Sequence, residues 1–170
     1  LLSRGDLGRV DRERAQHALA LDFLKAGLLD RAEQALQRLE GTPFEAEARL
    51  ALLAIYERSS DWSLAAAIAD KMDRAAQGDF STRQAHYLCE QAATLLGKGQ
   101  TEEARSLLQR AIATAPHAAR ARIDLAAMQQ ASGDHAAAFS TLRTMGEATP
   151  AALPLAAARL AQAASSSQQP

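Results

Sequence analysis

Strand-forming chemistry is almost absent from these 170 residues: Val10 is the only valine, and no run of Val, Ile and Thr alternates with polar residues. That excludes a β-sheet core and leaves an all-α chain. A single cysteine, Cys89, excludes an internal disulfide and a cysteine-paired zinc site, and fits a reducing compartment. Neither sign of charge prevails: 19 Lys and Arg stand against 20 Asp and Glu, a formal net charge of −1, without the basic face of a nucleic-acid binder. No uncharged run approaches the ~20 residues of a membrane span. The opening Leu1-Leu2-Ser3-Arg4-Gly5 has no initiating methionine and no signal-peptide layout; it reads as the end of a helix from a longer protein. Aromatics are 4% of residues, and 41 alanines inflate the 48% hydrophobic fraction. Small side chains of this kind suit close helix–helix contact better than a thick globular core.

What is present is a recurrence. Ala32, Ala65, Ala104 and Ala138 follow one another at about one helix pair each. Five residues before them stand Gly27, Ser60, Gly99 and Gly133; nine before stand Phe23, Tyr56, Leu95 and Gln129. Four after stand Leu36, Ala69, Leu108 and Leu142, and Pro116 and Pro150 lie twelve after the last two alanines. A period of ~34 residues with this pattern is that of tetratricopeptide repeats. In each unit the alanine sits where two helices touch, the glycine permits the turn, and the proline stops the second helix. The expected fold is a tetratricopeptide-repeat right-handed superhelical solenoid of about four helix pairs plus a terminal helix.

Residues 1–12 read as the remnant of a preceding repeat and a loop. Repeats are expected at about 13–45, 46–79, 85–118 and 119–152, with a terminal helix over 153–163 and a disordered tail over 164–170. Packing stripes run through Leu19, Ala20 and Phe23, then Ala32, Ala35, Leu36 and Leu39, up to Thr42-Pro43. Later repeats use Leu52, Leu53 and Tyr56 with Ala65, Ile68, Ala69 and Met72; Leu88, Ala92 and Leu95 with Ala104, Leu107, Leu108 and Ala111; and Leu125, Ala126 and Met128 with Ala138, Leu142 and Met145. Ser59-Ser60-Asp61 and Thr101 offer N-caps, and Glu102-Glu103 suit a first helical turn. Gln77 to Thr82 exceeds the regular period and is expected as a loop. Gln129 replaces an aromatic, so looser packing is expected there.

Catalytic signatures are scarce. Gly97 and Gly99 lack a third glycine and a preceding strand, and no nucleophile-elbow sequence occurs. His17, His86, His117 and His135 are never four apart on one helix face. Glu45/Glu47 and Glu102-Glu103 read as solvated helix-start acids. Cys89 reads as a packing residue, with a reactive thiol beside His86 as the alternative. Trp62 reads as a wedge between repeats or as a partner hot spot. No enzyme, cofactor or metal site is expected in this chain.

In such repeats the first helix of each pair lines a groove. Helical projection places Arg14, His17, Leu21 and Lys25 there from the first repeat, and Leu50, Glu57 and Arg58 from the second. His86, Cys89 and Leu96 follow from the third, and Arg120 and Ile123 from the fourth. Leu21 and Leu50 stand where a carboxylate-holding groove would need polar donors, so that mode of binding is not expected.

Three stretches go beyond the generic repeat. They are Ala26-Gly27-Leu28-Leu29-Asp30-Arg31-Ala32-Glu33, then Leu53-Ala54-Ile55-Tyr56 leading to Asp61-Trp62, then Ala85-His86-Tyr87-Leu88-Cys89-Glu90. In this order they resemble the bacterial lipopolysaccharide assembly protein B family over roughly residues 10–160, with Gln91 as a departure where an apolar residue is usual. The resemblance implies the repeat segment of an inner-membrane regulator of lipopolysaccharide synthesis. Such a regulator helps present the lipid A deacetylase to a membrane AAA+ protease and works on the cytoplasmic side. It also implies an amino-terminal membrane helix and a carboxy-terminal metal ribbon, and this chain has the residues of neither. A generic tetratricopeptide scaffold for another protein or peptide is the second reading, and an accessory domain of a glycosyltransferase-like enzyme the third.

Overall fold

The computed structural model describes residues 8–75 and 79–152, together with Pro154, Ala156, Ala157 and Ala161. Among them are eight α-helices and one 3₁₀ turn, without a strand: α1 Arg9–Lys25, α2 Leu29–Gln37, α3 Glu45–Ser59, α4 Trp62–Arg74, α5 Ser81–Gly97, α6 Thr101–Thr114, α7 Ala119–Ala131, α8 His135–Ala148 and Pro150–Ala152. Each odd-numbered helix packs on the next through a tight turn, giving four helix pairs of the tetratricopeptide kind. The chain divides into two compact units, residues 1–78 and 79–170.

Four features of the repeat register fix both units. The recurring Ala32, Ala65, Ala104 and Ala138 are each 0% exposed. The side chain has to be this small because the second helix of each pair meets the first there, and helix axes packed through alanine lie close. The turns carry positive φ at Gly27, Gly99 and Gly133 and, in the glycine-free turn, at Ser60 (φ 57°). Asp61 caps α4 by accepting from the Leu64 amide at 3.2 Å, and Asp134 caps α8 from Ala137 at 3.1 Å. Leu36, Ala69, Leu108 and Leu142 then fill the space one turn on, all buried.

In residues 1–78, α3 lies between its partner α4 and the preceding α2. Tyr56, 5% exposed, reaches from α3 to α2, where its hydroxyl donates to Glu33 Oε1 at 2.8 Å. In residues 79–170, α5, α6 and α7 share one core built on Leu88, Ala92, Leu108, Ala111 and Leu125. A second core joins α7 and α8 through Ala126, Ala138, Leu142 and Met145, and Ala156 closes it.

Several expectations need correction. Residues 9–12 are the first turn of α1 rather than the remnant of another repeat; Gly8 precedes them, and Arg9 pairs with Glu13 at 3.5 Å. Leu19 is 38% exposed, because it sits one step round the helix from the buried Ala20. Leu39 is buried as expected but lies beyond α2, which stops at Gln37. There Thr42 Oγ1 donates to the Leu39 carbonyl at 2.6 Å and Gly41 takes φ 75°, closing the chain into turns. Thr101 is the first residue of α6, not its cap; Gln100 precedes the helix, while Glu102 and Glu103 do occupy the first turn. Ser81 and Thr82 belong to α5 instead of a loop, since Asp79 Oδ1 accepts from the Ser81 amide at 3.0 Å and from its hydroxyl at 2.7 Å. Those two bonds hold the Asp79 carboxyl below its usual range. Gln129 is buried, and its Oε1 accepts from Thr141 Oγ1 at 2.9 Å, so the polar group in the aromatic's place is satisfied. Most of the terminal helix, the tail, residues 1–7 and residues 76–78 lie outside the described residues; Pro154, Ala156, Ala157 and Ala161 are helical.

Candidate functional site

On the first-helix side of residues 79–170, α5 and α7 run with a cleft of about 550 Å³ between them. Cys89, Ala92, Ala93 and Leu96 line it from α5, and Arg120, Asp124, Ala127, Met128 and Ala131 from α7. Leu108 and Thr101 of α6 and Ser132 complete the wall. The α7 residues recur at steps of three and four, which places them on one face. The floor is apolar and Leu96, at 37% exposure, forms a lip.

Polar chemistry is confined to the ends. At one, Arg120 Nη1 donates to Glu90 Oε1 at 2.8 Å and meets His86 Nδ1 at 2.7 Å, while its Nε donates to Asp124 Oδ2 at 3.3 Å. Burial works against the Arg120 cation, but the hydrogen bond and charge of Glu90, with the charge of Asp124, outweigh it and raise the guanidinium's pKa. At the other end stand Thr101 and Ser132, the latter already donating to the Gln129 carbonyl at 2.9 Å.

Of the groove residues expected from sequence, His86, Leu96 and Arg120 do come together here. Cys89 borders the cleft but is 2% exposed. Burial, and then the nearby Asp124 charge, push its thiol up to about 11, so it is a neutral packing group without thiolate reactivity. Ile123 does not line the cleft: it is half-buried and packs against the core that α7 and α8 share. Projection missed Asp124, Ala127 and Ala131; the signal was the i, i+4, i+7, i+11 series starting at Arg120.

In residues 1–78 the expected groove residues are more dispersed. His17 stacks on Phe44, which leads into α3, with ring centroids 5.0 Å apart. Arg14 pairs with Asp11 at 3.7 Å and Lys25 with Asp22 at 3.9 Å, both local to α1. Leu21 and Glu57 are half-buried, Arg58 is exposed in the last turn of α3, and Leu50 is 49% exposed. Trp62 opens α4 and is half-buried.

A second cleft, about 340 Å³, lies on the opposite, second-helix side of that unit, between α2 and α4 over α3. Its rim is an ion-pair chain: Lys71 Nζ donates to Glu40 Oε1 at 2.9 Å, and Arg49 pairs with Glu40 at 3.9 Å and with Glu45. The Lys71 hydrogen bond, then its charge, holds the Glu40 carboxyl below its ordinary value.

Among the described residues no group of three or more His, Cys, Asp or Glu is arranged to hold a metal ion. No described helix is long and apolar enough to cross a membrane.

The tetratricopeptide-repeat family profile matches residues 95–163. Lipopolysaccharide assembly protein B of Escherichia coli (strain K12) is 29% identical over 144 residues, covering 84% of this chain and 37% of that protein. Its namesake in Haemophilus influenzae (strain Rd) is 32% identical over 137 residues, covering 80% of this chain and 34% of that protein. The chain thus spans about a third of the length of these curated relatives. The crystal structure of MamA protein matches with a TM-score of 0.52 at 19% identity, covering 91% of this chain and 82% of that one, which bears on the fold alone. The chain thus has the tetratricopeptide-repeat fold and, over about four fifths of its length, is similar to about a third of lipopolysaccharide assembly protein B.

Proposed function

We propose that this chain is a non-catalytic adaptor that binds other proteins through the exposed faces of its first helices. In the parent protein it helps present the lipid A deacetylase to a membrane AAA+ protease on the cytoplasmic side of the inner membrane. The observation that carries this reading is the similarity to lipopolysaccharide assembly protein B over about four fifths of the chain. The α5–α7 cleft supplies a surface for it: an apolar floor, a protruding leucine and a charged end are the makings of a small set of anchoring contacts. Exposed Leu50 and Arg58 offer a further anchor and a charge in the other unit. Neither cleft gathers an activated nucleophile: Cys89, at the edge of one, stays protonated. The adaptor needs no cofactor for this work.

The test is the level of the lipid A deacetylase in cells whose parent protein carries Arg58→Glu, Leu21→Ala, Leu50→Ala or Leu96→Lys. Accumulation of the deacetylase with an intact, helical parent protein supports the reading. Unchanged deacetylase across all four variants overturns it.

A further inference from the structure

We infer that the α5–α7 cleft receives an amphipathic α-helix of a partner protein, apolar face down, with a basic residue at its Glu90–Asp124 end. This rests on the protein-binding reading above and names the form of the partner. The backbone decides between helix and extended strand. Between the two polar ends the lining is alanine, leucine, methionine and the buried Cys89, with no amide, carboxylate or hydroxyl side chain. The backbones of α5 and α7 are committed to their own helices. An extended peptide laid along this stretch would bury N–H and C=O groups with nothing to pair them. A helix brings its backbone already paired and presents only side chains.

Shape agrees. Ala93, Ala127 and Ala131 keep the walls low, which lets a third helix approach to the ordinary packing distance of about 8–10 Å. A volume of about 550 Å³ takes a row of large side chains rather than one, and Leu96 stands at the lip to flank them. Charge sets the direction. The Arg120 guanidinium is shared by two carboxylates, Glu90 and Asp124, so this end carries one negative charge in excess. A lysine or arginine on the incoming helix complements it.

The experiment uses the purified chain and three fluorescein-labelled peptides of about 16 residues, long enough to hold a helix. One has leucines at i, i+3, i+4 and i+7 and a lysine at one end; the second has glutamate for that lysine; the third has a central proline. Anisotropy titrations are expected to show the first binding about ten-fold or more tighter than the proline peptide, and roughly two- to five-fold tighter than the glutamate peptide. Ala93→Arg, and separately Leu96→Lys on the exposed lip, should each weaken the first peptide by about ten-fold with circular dichroism unchanged. Leu64→Arg, in the other unit, should leave it unaltered. Equal binding of the proline peptide, binding by none of the three, or binding that survives both cleft variants overturns the inference. Its failure is separable from that of the adaptor reading: deacetylase accumulation without helix binding sinks only the helix, and helix binding with unchanged deacetylase sinks only the named partner.

Discussion

In residues 1–78 the place nine residues before the packing alanine is held in α3 by Tyr56; in residues 79–170 the corresponding place in α7 is held by Gln129. Both are buried and both end in a hydrogen bond, but they reach different helices. Tyr56 extends to Glu33 on α2, which belongs to the preceding pair, whereas Gln129 stops at Thr141 on α8, its own partner. The polar link between neighbouring pairs therefore moves from one side to the other. In the first unit it lies on the second-helix side, in Tyr56–Glu33 and Lys71–Glu40. In the second it lies on the first-helix side, in Arg120 with Glu90 and His86. The first unit is left with a cleft rimmed by closed ion pairs, and the second with an apolar trough bounded at its ends. Two units built on one register thus differ in which face remains open for a partner.

The contrast between the units should be greatest at Tyr56 itself. Tyr56→Ala should destabilise by roughly 3–5 kcal/mol, the range for losing a buried aromatic, read from denaturant melts. Tyr56→Phe should cost about 1 kcal/mol, because it keeps the buried ring and removes only the hydroxyl's bonds to Glu33 and Gln37. Gln129→Ala should lie well below Tyr56→Ala; equal costs would mean that the two positions are equivalent after all. Next, Ala65→Leu and Ala138→Leu should each cost about 1–3 kcal/mol, since both sites are closed on every side. A tolerated leucine at one of them alone would show that the units pack to different tightness.

Turn chemistry gives a smaller effect of opposite sign in the two units. Gly99→Ala places a Cβ at φ 77°, where it meets no neighbouring atom, so its cost is conformational, about 1–2 kcal/mol. Ser60→Gly relieves a non-glycine residue at φ 57° and should stabilise by up to about 1 kcal/mol. Alkaline pH provides the finest distinction. The Cys89 thiol is raised from 9 to about 11 by burial and then Asp124, so the folded state holds its proton more tightly than the unfolded chain. That contribution is complete below pH 9 and is lost as pH climbs through about 11. Tyr56, raised by burial and its bond to Glu33, acts in the same direction at higher pH. Cys89→Ala should flatten the stability curve between pH 9 and about 11, and an unaltered curve would place the thiol in solvent.

The core was legible because burial follows the repeat: alanine every helix pair, a buried apolar residue one turn later, and a left-handed turn five residues before. Even the exception, Ser60, adopts the conformation its glycine counterparts take. The groove was legible only in part, because a face is selected by how far a helix is rotated, and one residue is a step of about 100°. Ile123 shows the consequence: beside Asp124 in sequence, it packs against the core that α7 and α8 share while Asp124 borders the cleft. Alanines gave no warning either. Ala93, Ala127 and Ala131 look in sequence like the buried packing alanines, and only the spacing of α5 from α7 makes them the wall of an opening.

Whether partners are held on the first-helix side of the second unit can be read by photocrosslinking in cells. Benzoylphenylalanine is placed in the parent protein at Leu96 on the cleft lip, or at Leu64 on the second-helix side of the first unit. An adduct with the lipid A deacetylase is expected from Leu96 and none from Leu64. An adduct from Leu64 with none from Leu96 would contradict this placement of the binding face.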